Sequence, residues 1–158
     1  MSPEHDGRLV HLEHGRAHVA RAIGALMRAA YAVEGRRIGR DDFSPARRGD
    51  EEIRSAGTTF LGWSSAGELR AVAEVERGED EVALDGFTVR VADQGRGVGR
   101  AFLAALLDDL AAPRVHVSTA RANEPALRLY RGAGFRETKS WSTDCGIPMC
   151  TLTREARR

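Results

Sequence analysis

The stretch Val89-Arg90-Val91-Ala92-Asp93-Gln94-Gly95-Arg96-Gly97-Val98-Gly99-Arg100 decides how this chain folds. It closes a run, 81–91 (EVALDGFTVRV), whose apolar and β-branched residues read as a strand. It opens a run carrying Val98, Ala101, Phe102, Ala105 and Leu106, an apolar stripe of helical period. Gly95, Gly97 and Gly99 let the backbone between them turn tightly and approach a ligand without Cβ clashes. The first N–H groups of the helix have no partner within it and stand at the positive end of its dipole. Strand, glycine turn and helix in this order predict an anion site, most naturally for a phosphate or diphosphate, with Arg96 and Arg100 adding charge. The same residues also make an ordinary strand-to-helix turn that binds nothing.

Outward from this turn the chain shows no repeat, low-complexity tract or linker. Residues 8–12 (RLVHL) read as a strand, and Val19, Ile23, Leu26, Met27 and Ala30 mark an amphipathic helix over 16–34. Residues 35–50 form a charged loop with one helical turn at most, and 50–57 a short helix stopped by Gly57. Strands follow at 58–64, 69–76 and 81–91. Downstream, Pro113 closes the long helix and 114–119 is a strand. Asn123 then caps a second helix, with Glu124 and Pro125 in its first turn and Gly134 past its end. Residues 135–141 and 148–154 make a final pair of strands. The expected fold class is α/β (α+β by stricter naming): a single domain with a mixed, mostly antiparallel sheet of about seven strands flanked by four helices.

A dinucleotide-binding fold is the rival reading of the glycine turn. Its fingerprint places glycines first, third and sixth, but the sixth residue from Gly95 is Arg100, and no acidic residue ends the next strand to grip a ribose. The 58 residues after Arg100 are too few for the rest of that fold. A Walker-type loop fails because no Lys-Ser/Thr follows the glycines.

The second informative segment is Asn123-Glu124-Pro125-Ala126-Leu127-Arg128-Leu129-Tyr130-Arg131-Gly132-Ala133-Gly134-Phe135. Leu127 and Tyr130 share a helix face, and alone Tyr130 reads as a core or rim aromatic. With the glycine turn in register before it, the sequence resembles the GNAT superfamily (GCN5-related N-acetyltransferases). The family pattern Q/R-x-x-G-x-G/A stands here as Gln94-Gly95-Arg96-Gly97-Val98-Gly99. The pattern N-x-x-A-x-x-x-Y-x-x-x-G-F stands as Asn123, Ala126, Tyr130, Gly134 and Phe135. The resemblance covers roughly residues 8–153, which it marks as the acyltransferase domain, with 1–7 and 154–158 as tails.

This resemblance implies that the fourth and fifth strands splay apart and that the pantetheine arm of acetyl-CoA lies in the wedge. Backbone groups of Phe87, Val89 and Val91 would bond the arm. The backbone from Gln94 through Gly95, Arg96, Gly97, Val98 and Gly99 to Arg100 would hold the diphosphate. Asn123 would meet the arm, and Tyr130 would stand near the thioester sulfur. Many members carry Pro where Val91 stands, so the local bulge is open to difference. The implied reaction is N-acetylation by direct attack of a primary amine, on a small molecule or a peptide, with no covalent enzyme intermediate. A backbone N–H near Phe87 would stabilise the carbonyl oxygen. Tyr130, with an ordinary pKa near 10, would protonate a thiolate of about 8.5 as the general acid. A non-catalytic CoA-binding or regulatory module on the same fold is the alternative. Family members often pair through their sheets, so a homodimer is an expectation.

The general base is read from the strand. Within the run 81–91, residues 83, 85, 87, 89 and 91 share one face. Asp85 then sits with Phe87, Val89 and Val91, an odd place for a carboxylate unless it borders a cleft. It is the leading base, directly or through water. Ala83 stands where family members often carry Glu or His. Glu74 and Glu76 are rivals, and all three carboxylates also read as ordinary strand-edge charges.

Other clusters are weaker. His11, His14 and His18 lack the carboxylate or Cys pattern of a metal site, so no metal is expected. Arg36, Arg37, Arg40, Arg47 and Arg48, interleaved with Asp41, Asp42, Asp50 and Glu51, read as a solvated loop, though the family builds its acceptor site there. The 142–147 loop is the other acceptor wall, and Asp144 would attract a cationic amine. Cys145 and Cys150 read as free thiols in a reducing cytoplasm. The 158 residues carry 24 Lys+Arg against 23 Asp+Glu, a net charge of +1, which argues against nucleic acid as partner. The longest apolar run, 101–107, falls short of the ~20 residues of a membrane span, and no apolar leader opens the chain. Only Lys139 is lysine among the basic residues, a composition bias that leaves few side-chain amines to modify.

Overall fold

A computed structural model describes residues 6–40 and 44–156. Asp41 and Asp42 of the charged loop lie outside the described residues, as do 1–5 and 157–158 of the tails. The elements are β1 (Arg8–Leu12), α1 (Ala17–Arg37), a 3-10 turn (Ser44–Arg47), α2 (Asp50–Arg54), β2 (Thr59–Ser65), β3 (Glu68–Arg77) and β4 (Glu81–Val89). A second 3-10 turn (Val91–Asp93), α3 (Val98–Leu110), β5 (Arg114–Ala120), α4 (Glu124–Gly132), β6 (Arg136–Ser142) and β7 (Pro148–Glu155) complete it. Their order is the one expected from the sequence, and α1 runs three residues further. Among the described residues no helix is long and apolar enough to cross a membrane.

The strands form one sheet in the order β1-β2-β3-β4-β5-β7-β6, with β4–β5 its parallel pair. α3 and α4 cover one face, where Phe102, Leu103 and Leu106 are fully buried against Val75, Val115 and Leu152. Each such side chain contributes roughly 1.5–3 kcal/mol of burial. α1 and α2 cover the other face through Ile23, Met27, Ile53, Phe60 and Val72.

Two departures from simple strand periodicity open the site. First, β4 pairs with β5 only over Glu81–Leu84 and Arg114–Val117. Beyond that, β4 stays with β3 and β5 stays with β7, so the expected splay is present. Second, the parting begins at a β-bulge: Val75 faces Leu84 but Glu74 faces Gly86, which leaves Asp85 as the extra residue. The bulge resets the alternation. Val82 and Leu84 before it, and Phe87 and Val89 after it, all pack on the α3 side. The expectation that Asp85 shares a face with Phe87, Val89 and Val91 is therefore corrected: Asp85 turns to the α1 side, beside Tyr31 and Glu74. Val91 is corrected too. β4 ends at Val89, and the chain curls into the 3-10 turn, with Asp93 N–H bonded to Arg90 O at 2.8 Å, leaving Val91 44% exposed.

Candidate active site

The glycine turn takes the shape its sequence demands. Gly95 (φ 74°) and Gly97 (φ 84°) adopt left-handed backbone that side chains strain to reach. A Cβ on Gly95 would meet nothing within 4 Å, so the turn opens outward. Gly99 does the opposite: its Cβ would stand 3.2 Å from Val89 Cγ2, which lets α3 press against β4. Ala101 is the first residue of α3 to bond back, to Gly97 O at 3.1 Å, so the amides before it remain at the helix mouth. Gln94 ties the turn to the strand, its Nε2 donating to Val89 O at 3.1 Å. Beneath the turn, Asp93 is 2% exposed and accepts from Arg90 Nε at 2.6 Å and Arg70 Nη1 at 3.1 Å.

The wedge between β4 and α4 is a cavity of about 500 Å³. Phe87, Val89, Gln94, Gly95, Gly97, Gly99, Arg100, Asn123 and Tyr130 line it, so most of the residues expected to hold acetyl-CoA stand together. Arg96 is exposed on the outer turn, the Val98 side chain is buried in the core, and Val91 lies off the wedge. Phe87 packs on Phe102 (centroids 5.2 Å) and meets the edge of the Tyr130 ring at 6.2 Å. Tyr130 is 4% exposed, and burial chiefly raises its phenol above the ordinary range, which keeps it protonated.

Asn123 does not cap α4. Its side chain makes no capping bond: Pro125 near the helix start removes one N–H donor, and the residue lines the wedge instead. Its Oδ1 is buried and has no partner.

On the opposite face, Met27, Tyr31, Arg48, Glu52, Glu74 and Asp85 line a groove of about 460 Å³. Asp85 is exposed as a residue, yet its carboxyl is raised above the ordinary range. Partial burial is the main cause, followed by repulsion from Glu76 and Glu74 and a shared hydrogen bond with Glu76. Glu74 is already engaged: it accepts from both Arg48 Nη atoms, at 2.6 and 3.0 Å, and from Thr58 Oγ1 at 2.7 Å. Burial also raises the Tyr31 phenol, which stands over Gly86. The two expected acceptor walls meet where Arg40 Nη2 donates to Cys145 O at 3.1 Å. Asp144 is exposed on the second wall, and His14 is engaged with Ala56 O at 2.9 Å. Among the described residues no cluster of three or more His, Cys, Asp or Glu is placed to hold a metal ion.

Sequence reading missed Glu34, Asp93 and the Arg48–Glu74 pair. For Glu34 a signal existed: it extends the buried stripe Ile23, Met27, Ala30 by one more turn. For Arg48–Glu74 there was none, because the partners meet only through the α1–α2 connection.

A glycine turn at one end of a strand wedge, an aromatic-walled channel and a carboxylate groove on the far face are the architecture of a group-transfer domain. Comparison with known proteins agrees: residues 31–156 match the family described as Acetyltransferase (GNAT) domain, and the chain belongs to that family. It is similar to UPF0157 protein YqkA of Bacillus subtilis, 30% identical over 137 residues, which cover 86% of this chain and 40% of that one. It thus spans less than half the length of that relative. It is also similar to N-alpha-acetyltransferase RimI of Mycobacterium tuberculosis, 35% identical over 122 residues, which cover 72% of this chain and 77% of that one. Its fold matches ribosomal-protein-S18-alanine N-acetyltransferase from Escherichia coli with a TM-score of 0.73 at 19% identity, over 94% of this chain and 93% of that one.

Proposed function

We propose that this domain transfers the acetyl group of acetyl-CoA to a primary amine by direct attack. The observation that carries the reading is the conjunction, in one wedge, of the open glycine turn and the unpartnered Asn123 Oδ1. When bound, acetyl-CoA supplies the activated acyl group. The amides of 97–100 and the Arg100 guanidinium hold its diphosphate. The outward edge of β4 beyond Leu84, which β5 has left, offers backbone groups at Phe87 to the arm and to the carbonyl oxygen. Tyr130 keeps its proton and donates it at the departing sulfur. The same dry surroundings that raise the phenol raise the thiolate's appetite for a proton. Asp85, reached from the α1 face, takes a proton from the acceptor ammonium, directly or through water. Its raised pKa makes it a better base than an ordinary carboxylate.

The names of the relatives make a peptide N-terminal amine the first acceptor to test. A cytoplasmic location, resting on two unbridged cysteines, and a homodimer belong to the same proposal. The test is CoA release from acetyl-CoA with free-N-terminus peptides, polyamines and amino sugars. Amine-dependent release supports the reading. Tight acetyl-CoA binding with no transfer across the panel replaces it with a non-catalytic CoA-binding module.

A further inference from the structure

The proposed reaction gives no task to the Arg48–Glu74 pair, which lines the α1-side groove together with Asp85. Glu74 is 5% exposed, and the two Nη atoms of Arg48 and the Thr58 hydroxyl all donate to its carboxylate. A buried ion pair is seldom more stabilising than apolar side chains of the same size, so stability alone does not account for it. The surroundings are built to hold Arg48 where it is. Arg28 on α1 donates from Nη1 to Arg48 O at 2.9 Å and pairs with Asp50 Oδ1 at 2.7 Å. Gly24, one turn earlier on α1, makes room for that link, because a Cβ there would collide with Asp50 Oδ1 and Arg28 Nη1. Glycine inside a helix is destabilising relative to alanine, so this room has a cost. The ring of Phe60 lies 5.8 Å from the Arg48 guanidinium carbon and gives the cation an aromatic face.

The charged lining of the groove is Glu52, Glu74 and Asp85 against Arg47 and Arg48. Three carboxylates against two guanidinia complement one ammonium and not two. We propose that Arg48 is a specificity-determining residue for the acceptor: by occupying Glu74 it restricts the groove to amines that bring a single positive charge into it. The inference rests on the acetyl-transfer reading above, with the acceptor entering on the α1 side. A second ammonium would face Arg48 or have to displace it from Glu74, so the pair acts by penalising the wrong substrate.

The test compares kcat/KM for isosteric acceptors that differ by one ammonium. Pentylamine is set against putrescine, and free-N-terminus peptides with norleucine as second residue against the same peptides with lysine. Each ratio is internal to one protein variant, so loss of folded protein cancels. The wild type favours the singly charged member of each pair. Arg48→Gln frees Glu74 and shifts the ratio about tenfold toward the doubly charged member. Arg48→Gln combined with Glu74→Gln removes the freed carboxylate and returns the ratio to that of the wild type. Arg48→Lys keeps the charge and stays near the wild-type ratio. Should Arg48→Gln fail to fold, Glu74→Gln carries the test, since it leaves Arg48 without its counter-charge and moves the ratio the opposite way. A wild type that favours the doubly charged amines overturns the proposal. So does a ratio within about twofold of wild type in Arg48→Gln, which marks the pair as structural only. Wild-type protein that releases CoA with neither member of any pair instead overturns the transfer reading, and this inference with it.

Discussion

Replacing Asp93 with alanine removes the strut beneath the glycine turn. Its carboxylate is almost fully buried and accepts from Arg90 Nε and Arg70 Nη1. The Arg70 side chain is itself only 13% exposed. Taking one partner from a buried ion pair costs about 3–5 kcal/mol, because the remaining charge stays desolvated. Here the low end applies. The Arg90 side chain is 32% exposed, and Glu68 remains within 3.2 Å of Arg70 and 3.4 Å of Arg90. About 3 kcal/mol in a domain of this size lowers Tm by roughly 6–12 °C. Asp93 immediately precedes Gln94, so the turn should lose definition and acetyl-CoA affinity should fall with stability. Asp93→Asn keeps the shape and one acceptor oxygen and should fall between the two. Circular-dichroism melts and calorimetric titration read both effects. A Tm within about 2 °C of wild type in Asp93→Ala would refute the claim that this network holds the turn.

Three further outcomes follow from the geometry. Tyr130→Phe keeps the packing against Phe87 and Phe135 and loses only the hydroxyl, so kcat should drop about 100-fold while acetyl-CoA binding stays within a few-fold; equal turnover would remove the acid role. Asp85 must be ionised to act, and its pKa is raised, so the rate should fall as pH drops through a midpoint above the ordinary carboxylate range. Asp85→Asn should abolish that acid limb and lower kcat, and a profile of unchanged shape would assign the base elsewhere. Cys145 is exposed, whereas Cys150 is buried with its thiol raised by that burial. One equivalent of thiol reagent should therefore react quickly in the native state and the second only on unfolding; two fast equivalents would contradict the packing of β7.

The sequence by itself determined the order of the elements, the glycine turn and the helix that carries Tyr130. These depend on local causes: glycines that tolerate positive φ, apolar spacing that matches the helical period, and Gly134 (φ 93°) where α4 stops. Tertiary structure decided which face Asp85 presents. A period-two reading assumes an unbroken strand, and one extra residue, Asp85, opposite the Glu74–Val75 step of the neighbouring strand reverses every face beyond it. Val91 left the wedge for a related reason, since β4 ends where β3 stops pairing with it and not where its apolar residues end. Asn123 has the sequence of a cap, yet Pro125 denied it a donor and its Oδ1 is left buried without a partner in the wedge. Nor was the Arg48–Glu74 pair legible, because an ion pair between distant segments exists only once the sheet and α1 have fixed the distance between them.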